Sequence, residues 1–211
     1  MTDQLVALLE ESRRRGFLGP GPVEDHLDHA RAFAVAAGRA PGRALDLGAG
    51  GGLPGLVLAA IEWPSTRWVF LDAQLRRTTF LQEAVEELGL ADRVEVVTAR
   101  AEEFGRLPER RSAHDLVVSR SFGPPAVTVE CAAPLLAVGG VLVVSEPPSG
   151  DAASRWPTDG LAMCGAGPVA TVVVEAAAGR TAHLVRIDQV ERCDERYPRR
   201  VGIPAKRPLF T

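Results

Sequence analysis

One stretch constrains this chain more than any other: Leu45-Asp46-Leu47-Gly48-Ala49-Gly50-Gly51-Gly52-Leu53-Pro54-Gly55, which reads as a buried strand, a glycine turn and the start of a helix. Glycines are needed in such a turn because any Cβ would hold a ligand away from the backbone, and because some positions require positive φ. Pro54 suits the first helical turn, where a missing N–H costs little. The N–H groups opening the next helix are expected to face an anionic group.

Two ligand classes compete for this loop. Gly50-x-Gly52-x-x-Gly55 satisfies the G-x-G-x-x-G expression of dinucleotide sites, a weak signal when alone. Asp46 counts against a pyrophosphate, which its carboxylate would repel, yet it could hold the ammonium of a methionine, directly or through water. The chain also leaves little room for a second domain to bring a hydride acceptor. S-adenosylmethionine offers both the ammonium and a carboxylate, and it is the favoured cofactor.

Further residues extend that reading. Asp72 ends the apolar run Trp68-Val69-Phe70-Leu71, and a carboxylate there can accept from both ribose hydroxyls. The same residue could cap the helix that begins after Ala73. Arg100-Ala101-Glu102-Glu103 follows a third strand, where the backbone of Ala101 and Glu102 could read an adenine edge or simply open a solvated helix.

The surrounding text alternates strand and helix. Helices are predicted at Leu5 to Arg15, Val23 to Ala37, Pro54 to Glu62, Leu75 to Leu88 and Ala126 to Leu136, with a short turn at Ala101 to Phe104. Strands are predicted at Arg43 to Leu47, Arg67 to Leu71, Val94 to Thr98, Leu116 to Ser119 and Val141 to Ser145. Ser149 to Gly167 reads as a loop, and Val169 to Val174 with Ala182 to Ile187 reads as a hairpin about Gly179-Arg180. The fold class implied is α/β: a Rossmann-like class I methyltransferase fold, with a mostly parallel seven-stranded sheet, helices on both faces and an antiparallel C-terminal hairpin. The chain divides into an N-terminal helical region (1–41), a core (42–190) and a basic tail (191–211) packed on or extending from that core.

Composition excludes more than it proposes. A net charge of -3 gives no global field for nucleic acid, so any RNA contact must come from a local patch. Cys131, Cys164 and Cys193 are too scattered to organise a metal and read as reduced bystanders. No metal and no membrane partner is expected. No run approaches the ~18 apolar residues of a membrane span, and neither end shows a secretory signal, so a cytoplasmic location is expected.

Five passages resemble the RsmG/GidB methyltransferases, which methylate N7 of one guanine in small-subunit ribosomal RNA. They are the Asp46 to Gly55 loop, Asp72 through Arg76-Arg77 to Phe80-Leu81, Arg100-Ala101-Glu102, Ser119-Arg120, and the tail Tyr197-Pro198-Arg199-Arg200 to Lys206. The resemblance implies cofactor contacts at Asp46, Gly48, Ala49, Gly50, Leu53, Asp72, Ala73, Ala101 and Glu102. It places Arg120 at the mouth of the site as the catalytic and substrate-holding guanidinium; a structural salt bridge is the alternative. Arg199, Arg200 and Lys206 would bind RNA, with Tyr197 and Phe210 available for stacking. The implied partner is ribosomal RNA or the small ribosomal subunit. The chain departs from the family pattern in two places. Its N-terminal region is shorter and lacks the Trp-Asn and Asn-Leu-Thr pattern, and Ser145-Glu146-Pro147-Pro148 replaces the usual lysine-glycine pair, so Glu146 reverses the local charge. These departures keep two other functions open: a diverged methyltransferase for a small molecule or protein, and a cofactor-sensing RNA-binding module without turnover.

Overall fold

Alternate residues of each central strand enter two different cores. Ala44, Phe70, Val118 and Val143 face one side, while Leu45, Leu71, Val117 and Leu142 face the other. A strand apolar on both sides must be covered on both sides, and this sheet is.

The structure is a computed structural model that describes residues 2–148, 151–175 and 180–211. Its seven strands are β1 (Arg43–Leu47), β2 (Arg67–Asp72), β3 (Val94–Thr98), β4 (His114–Ser119), β5 (Leu136–Ser145), β6 (Ala166–Glu175) and β7 (Thr181–Gln189). They lie in the order β3-β2-β1-β4-β5-β7-β6. The first five pair in parallel; β7 runs antiparallel to both β5 and β6. The predicted hairpin is therefore present, with strands longer than expected, while Gly179 of its turn lies outside the described residues.

Helices α1 (Thr2–Arg14) and α2 (Val23–Ala37) pack on the first face, where Leu5, Leu9, Val23 and Phe33 join the core of the sheet. The helix predicted at Pro54 to Glu62 is α3 (Gly55–Val57) followed by one wider π turn (Leu58–Glu62), closed by the Trp63 N–H donating to Leu58 O at 2.8 Å. The first face also carries α4 (Leu75–Glu87). On the second face lie α5 (Ala101–Phe104) and α6 (Pro125–Ala132).

The loop expected from Ser149 to Gly167 is corrected. Its described part holds α7 (Ala152–Arg155), α8 (Thr158–Ala162) and the start of β6. Small polar residues suggested a loop, but Trp156 and Leu161 are buried in the second core and anchor the segment. Asp151 caps α7 by accepting from the Ala153 N–H at 3.1 Å. The tail carries α9 (Ile203–Lys206) and packs on the second face through Cys193 and Tyr197, with Leu209 and the partly buried Phe210 against the same core. Among the described residues no helix is long and apolar enough to cross a membrane.

Candidate active site

Strand order reverses between β1 and β4, since β2 and β3 extend one way and β5 the other. Ligands of open α/β sheets bind beyond the carboxyl ends of the strands at such a reversal. A cleft of ≈ 330 Å³ opens there, lined by Gly48, Asp72, Ala73, Ala101, Glu102 and Phe122 among others. A larger cavity, ≈ 640 Å³, lies at the opposite end of the strands against Arg43, Arg67 and Asp92, away from the glycine loop. Topology favours the smaller one.

The loop is built from close approaches. Gly48 has φ 73°, and a Cβ there would come within 2.7 Å of Phe122. Gly48 and Ala49 both donate to Leu71 O, at 2.9 and 3.0 Å, and Gly50 donates to Asp72 Oδ2 at 3.0 Å. The Gly55 N–H is taken by Asp46 Oδ2 at 2.8 Å. The expectation of free N–H groups awaiting an anion is therefore corrected at these positions: the loop uses them to hold its own shape.

What the loop leaves unmatched is a pair of opposite charges. Asp46 is 0% exposed, and its Oδ1 has no hydrogen-bond partner. Burial pushes its carboxyl up to about 7; the Gly55 hydrogen bond opposes that, Asp72 adds to it, and Arg120 opposes it. Arg120 in turn donates through Nη2 to His26 Nδ1 at 3.1 Å, while its buried Nη1 has no partner. The orphaned carboxylate oxygen suits an ammonium such as that of an amino acid, while the orphaned guanidinium nitrogen belongs to a residue that lines the cavity beside the cleft and suits an anion or a base edge. The first of these is the fit that S-adenosylmethionine requires of the chain.

Asp72 accepts from Gly50 and, through Oδ1, from the Gln74 N–H at 2.8 Å. It therefore braces both flanks of the cleft and keeps lone pairs for hydroxyl donors. Glu102 Oε1 accepts from the Gly202 N–H at 3.0 Å and from Arg100 at 3.3 Å. Burial would raise its carboxyl, but these hydrogen bonds leave it below the ordinary range. Through Glu102 the tail is tied to the cleft, and Ala205 of α9 forms part of the lining.

The expected residues do not all meet. Gly48, Asp72, Ala73, Ala101 and Glu102 line the cleft, whereas Ala49 and Leu53 are buried in the first core beneath the loop. Arg200 and Lys206 are exposed. Arg199 is not free for RNA in this arrangement: its Nε and Nη2 bind the fully buried Glu130 at 2.8 and 2.6 Å. Tyr197, expected to be available for stacking, is buried in the second core. Arg111 completes the clamp, donating to backbone carbonyls of Tyr197, Cys193 and Asp194.

A second cavity of ≈ 400 Å³ adjoins the cleft and shares Ser121, Phe122 and Gly123 with it. Ser121 holds a φ of 60°, an unusual conformation for a residue with a side chain, at the wall between the two. His29, Arg120, Glu146 and Arg155 line this space. Sequence reasoning passed over His26 and His29, although their i, i+3 spacing on α2 marked one helix face. Cys131, expected to be a bystander, lines the cleft.

A mixed sheet in this strand order, with a glycine-loop cleft at its reversal point, defines a Rossmann-like methyltransferase fold. An O-methyltransferase from Bacillus cereus, solved in complex with SAH, superposes with a TM-score of 0.61 at 15% identity, covering 88% of this chain and 90% of that one. The chain belongs to the GidB family, described as rRNA small subunit methyltransferase G, whose pattern it matches over residues 23–148. It is 34% identical to the ribosomal RNA small subunit methyltransferase G of Rubrobacter xylanophilus, over 99% of this chain and 83% of that protein. The protein of the same name from Syntrophomonas wolfei is 32% identical, over 96% and 95% of the two chains.

Proposed function

We propose that the chain is an S-adenosylmethionine-dependent methyltransferase that methylates N7 of a guanine in small-subunit ribosomal RNA, in the cytoplasm. The observation that carries this reading is the pair of unmatched buried charges, Asp46 Oδ1 and Arg120 Nη1, beside the glycine loop of a family member.

Asp46 would hold the amino-acid end of the cofactor, Asp72 its ribose, and Ala101 with Glu102 its adenine, while Arg120, on the adjoining cavity, would hold the acceptor base as the catalytic and substrate-binding guanidinium. Gly48, Ala73 and Gly50 shape the floor, with Ala49 and Leu53 supporting it from below. When bound, S-adenosylmethionine supplies an electrophilic methyl group on a sulfonium. Guanine N7 already carries a lone pair in its neutral form, so an acceptor of this kind would need no base from the chain. The residues then have a positioning task, which in well-oriented model reactions supplies up to ~7 to 11 kcal/mol. The exposed Arg200 and Lys206 attract the RNA backbone, while Arg199 fixes the tail that carries them.

Labelled cofactor incubated with undermethylated small subunits or stripped ribosomal RNA tests the reading. Label is expected on guanine N7 in at least one substrate. Cofactor binding with no label in either would end the ribosomal assignment.

A further inference from the structure

The cavity beside the cofactor cleft contains a cation, Arg155, that lies outside every family-like passage of the sequence. Its neighbour Glu146 follows β5, with a side chain only 7% exposed. Glu146 Oε1 accepts from Trp156 Nε1 at 3.0 Å, and its Oε2 forms an ion pair with Arg155 Nε at 2.8 Å. Trp156 is buried, but the Arg155 side chain is 40% exposed, and its Nη nitrogens make no hydrogen bond among the described residues. Both charges line the same ≈ 400 Å³ space as Arg120.

We propose that Arg155 binds a phosphate of the RNA next to the methyl-accepting base, with Glu146 and Trp156 as positioning residues that hold its guanidinium at the cavity mouth. The assignment rests on the RNA-methyltransferase reading. A buried carboxylate alone would repel a phosphate there; paired with Arg155 it becomes the anchor of a planar donor fork suited to phosphate. His29, which lines the same cavity, is held neutral by burial and by the nearby Arg120, with its imidazole brought down to about 4, so it supplies no positive charge at neutral pH. Arg155 belongs to α7, in the segment between β5 and β6, and meets His29 of α2 only as a lining residue of the same cavity.

The test uses the full chain with S-adenosylhomocysteine and an unmodified small-subunit ribosomal RNA transcript, titrated across a range of salt. Removing Arg155 alone would strand a buried carboxylate, and a glutamine at 146 cannot accept from both Trp156 and Arg155, so wild type serves as the parent and both members of the pair are changed together. Adding Arg155→Ala with Glu146→Gln to that parent is expected to weaken RNA binding at least about tenfold, as for one charge-assisted hydrogen bond lost. The slope of log affinity against log salt should fall by about 0.7, and Arg155→Lys should restore it. Affinity and slope equal to those of the parent would overturn the proposal. Weaker binding with an unchanged slope would also overturn it, because it would place the contact on an uncharged base edge. If wild-type protein methylates the transcript while these variants match the parent, the Arg155 assignment alone fails. If wild-type protein neither binds nor methylates it, the ribosomal reading fails as well.

Discussion

Gly55 donates its backbone N–H to Asp46 Oδ2 at 2.8 Å, fixing one oxygen of a fully buried carboxylate whose other oxygen has no partner. Because burial raises this carboxyl to about 7, ionised Asp46 is costly in the ligand-free protein. Its contribution to stability is present below the unfolded value near 3.8 and is lost as pH rises through about 7. Asp46→Asn keeps an acceptor for Gly55 and does not titrate. The variant should melt higher than wild type at pH 8, with a much smaller difference at pH 5, by calorimetry of the ligand-free proteins. Cofactor affinity should show the opposite preference. In wild type it should rise up to about tenfold per pH unit below 7 and level off above, while the variant stays weak throughout. A flat wild-type profile from pH 5.5 to 8 would refute the ammonium-holding role.

Gly55 also packs too closely for a side chain. A Cβ there would lie 2.5 Å from Asp46 Oδ2 and 2.7 Å from Phe70. Gly55→Ala is expected to cost about 1–3 kcal/mol and to weaken cofactor binding, since the carboxylate must shift. Gly19→Ala, which meets nothing within 4 Å, is the control. Equal melting temperatures for the two variants would show that the loop can relax.

The sheet was legible because strand and helix periods alternate without interruption from Arg43 to Ser145, and because Gly48, Asp72 and Glu102 stand at strand ends where topology gathers them. Other features were not. Composition made Ser149 to Gly167 look like a loop, since burial of Trp156 and Leu161 depends on partners distant in sequence. Nothing local distinguishes Arg199 from Arg200; the difference is that buried Glu130, on α6, faces one of them. The pairing of Glu146 with Arg155 likewise needs the fold to bring β5 and α7 together.

The Arg199 and Arg200 contrast yields opposite expectations for adjacent residues. Arg199→Ala strands Glu130 and frees the tail, a loss of about 3 kcal/mol, at the low end for breaking a buried pair because Arg199 is 27% exposed. Arg200→Ala should change stability by no more than about 0.5 kcal/mol. It should instead reduce the salt dependence of RNA binding by about 0.7 in slope. Urea melts and salt titrations of both variants check this. A stable Arg199→Ala protein with a reduced salt slope would return that residue to the RNA-binding surface.

The N-terminal helix reaches the glycine loop through a hydroxyl. Ser12 Oγ donates to Gly51 O at 2.9 Å, a buried contact between α1 and the glycine loop. Ser12→Ala leaves that carbonyl without its partner, at a cost of about 1–3 kcal/mol. The loop braces Asp46 and Asp72 through Gly55 and Gly50, so loosening it should also lower cofactor affinity. Ser12→Thr retains the hydroxyl and tests whether the hydrogen bond or the space is decisive. Isothermal titration with S-adenosylhomocysteine should find weaker binding for the alanine variant and recovery for threonine. Unchanged affinity in Ser12→Ala would mean that α1 covers the loop without tensioning it, and that the cradle is set by Asp46 and Asp72 alone.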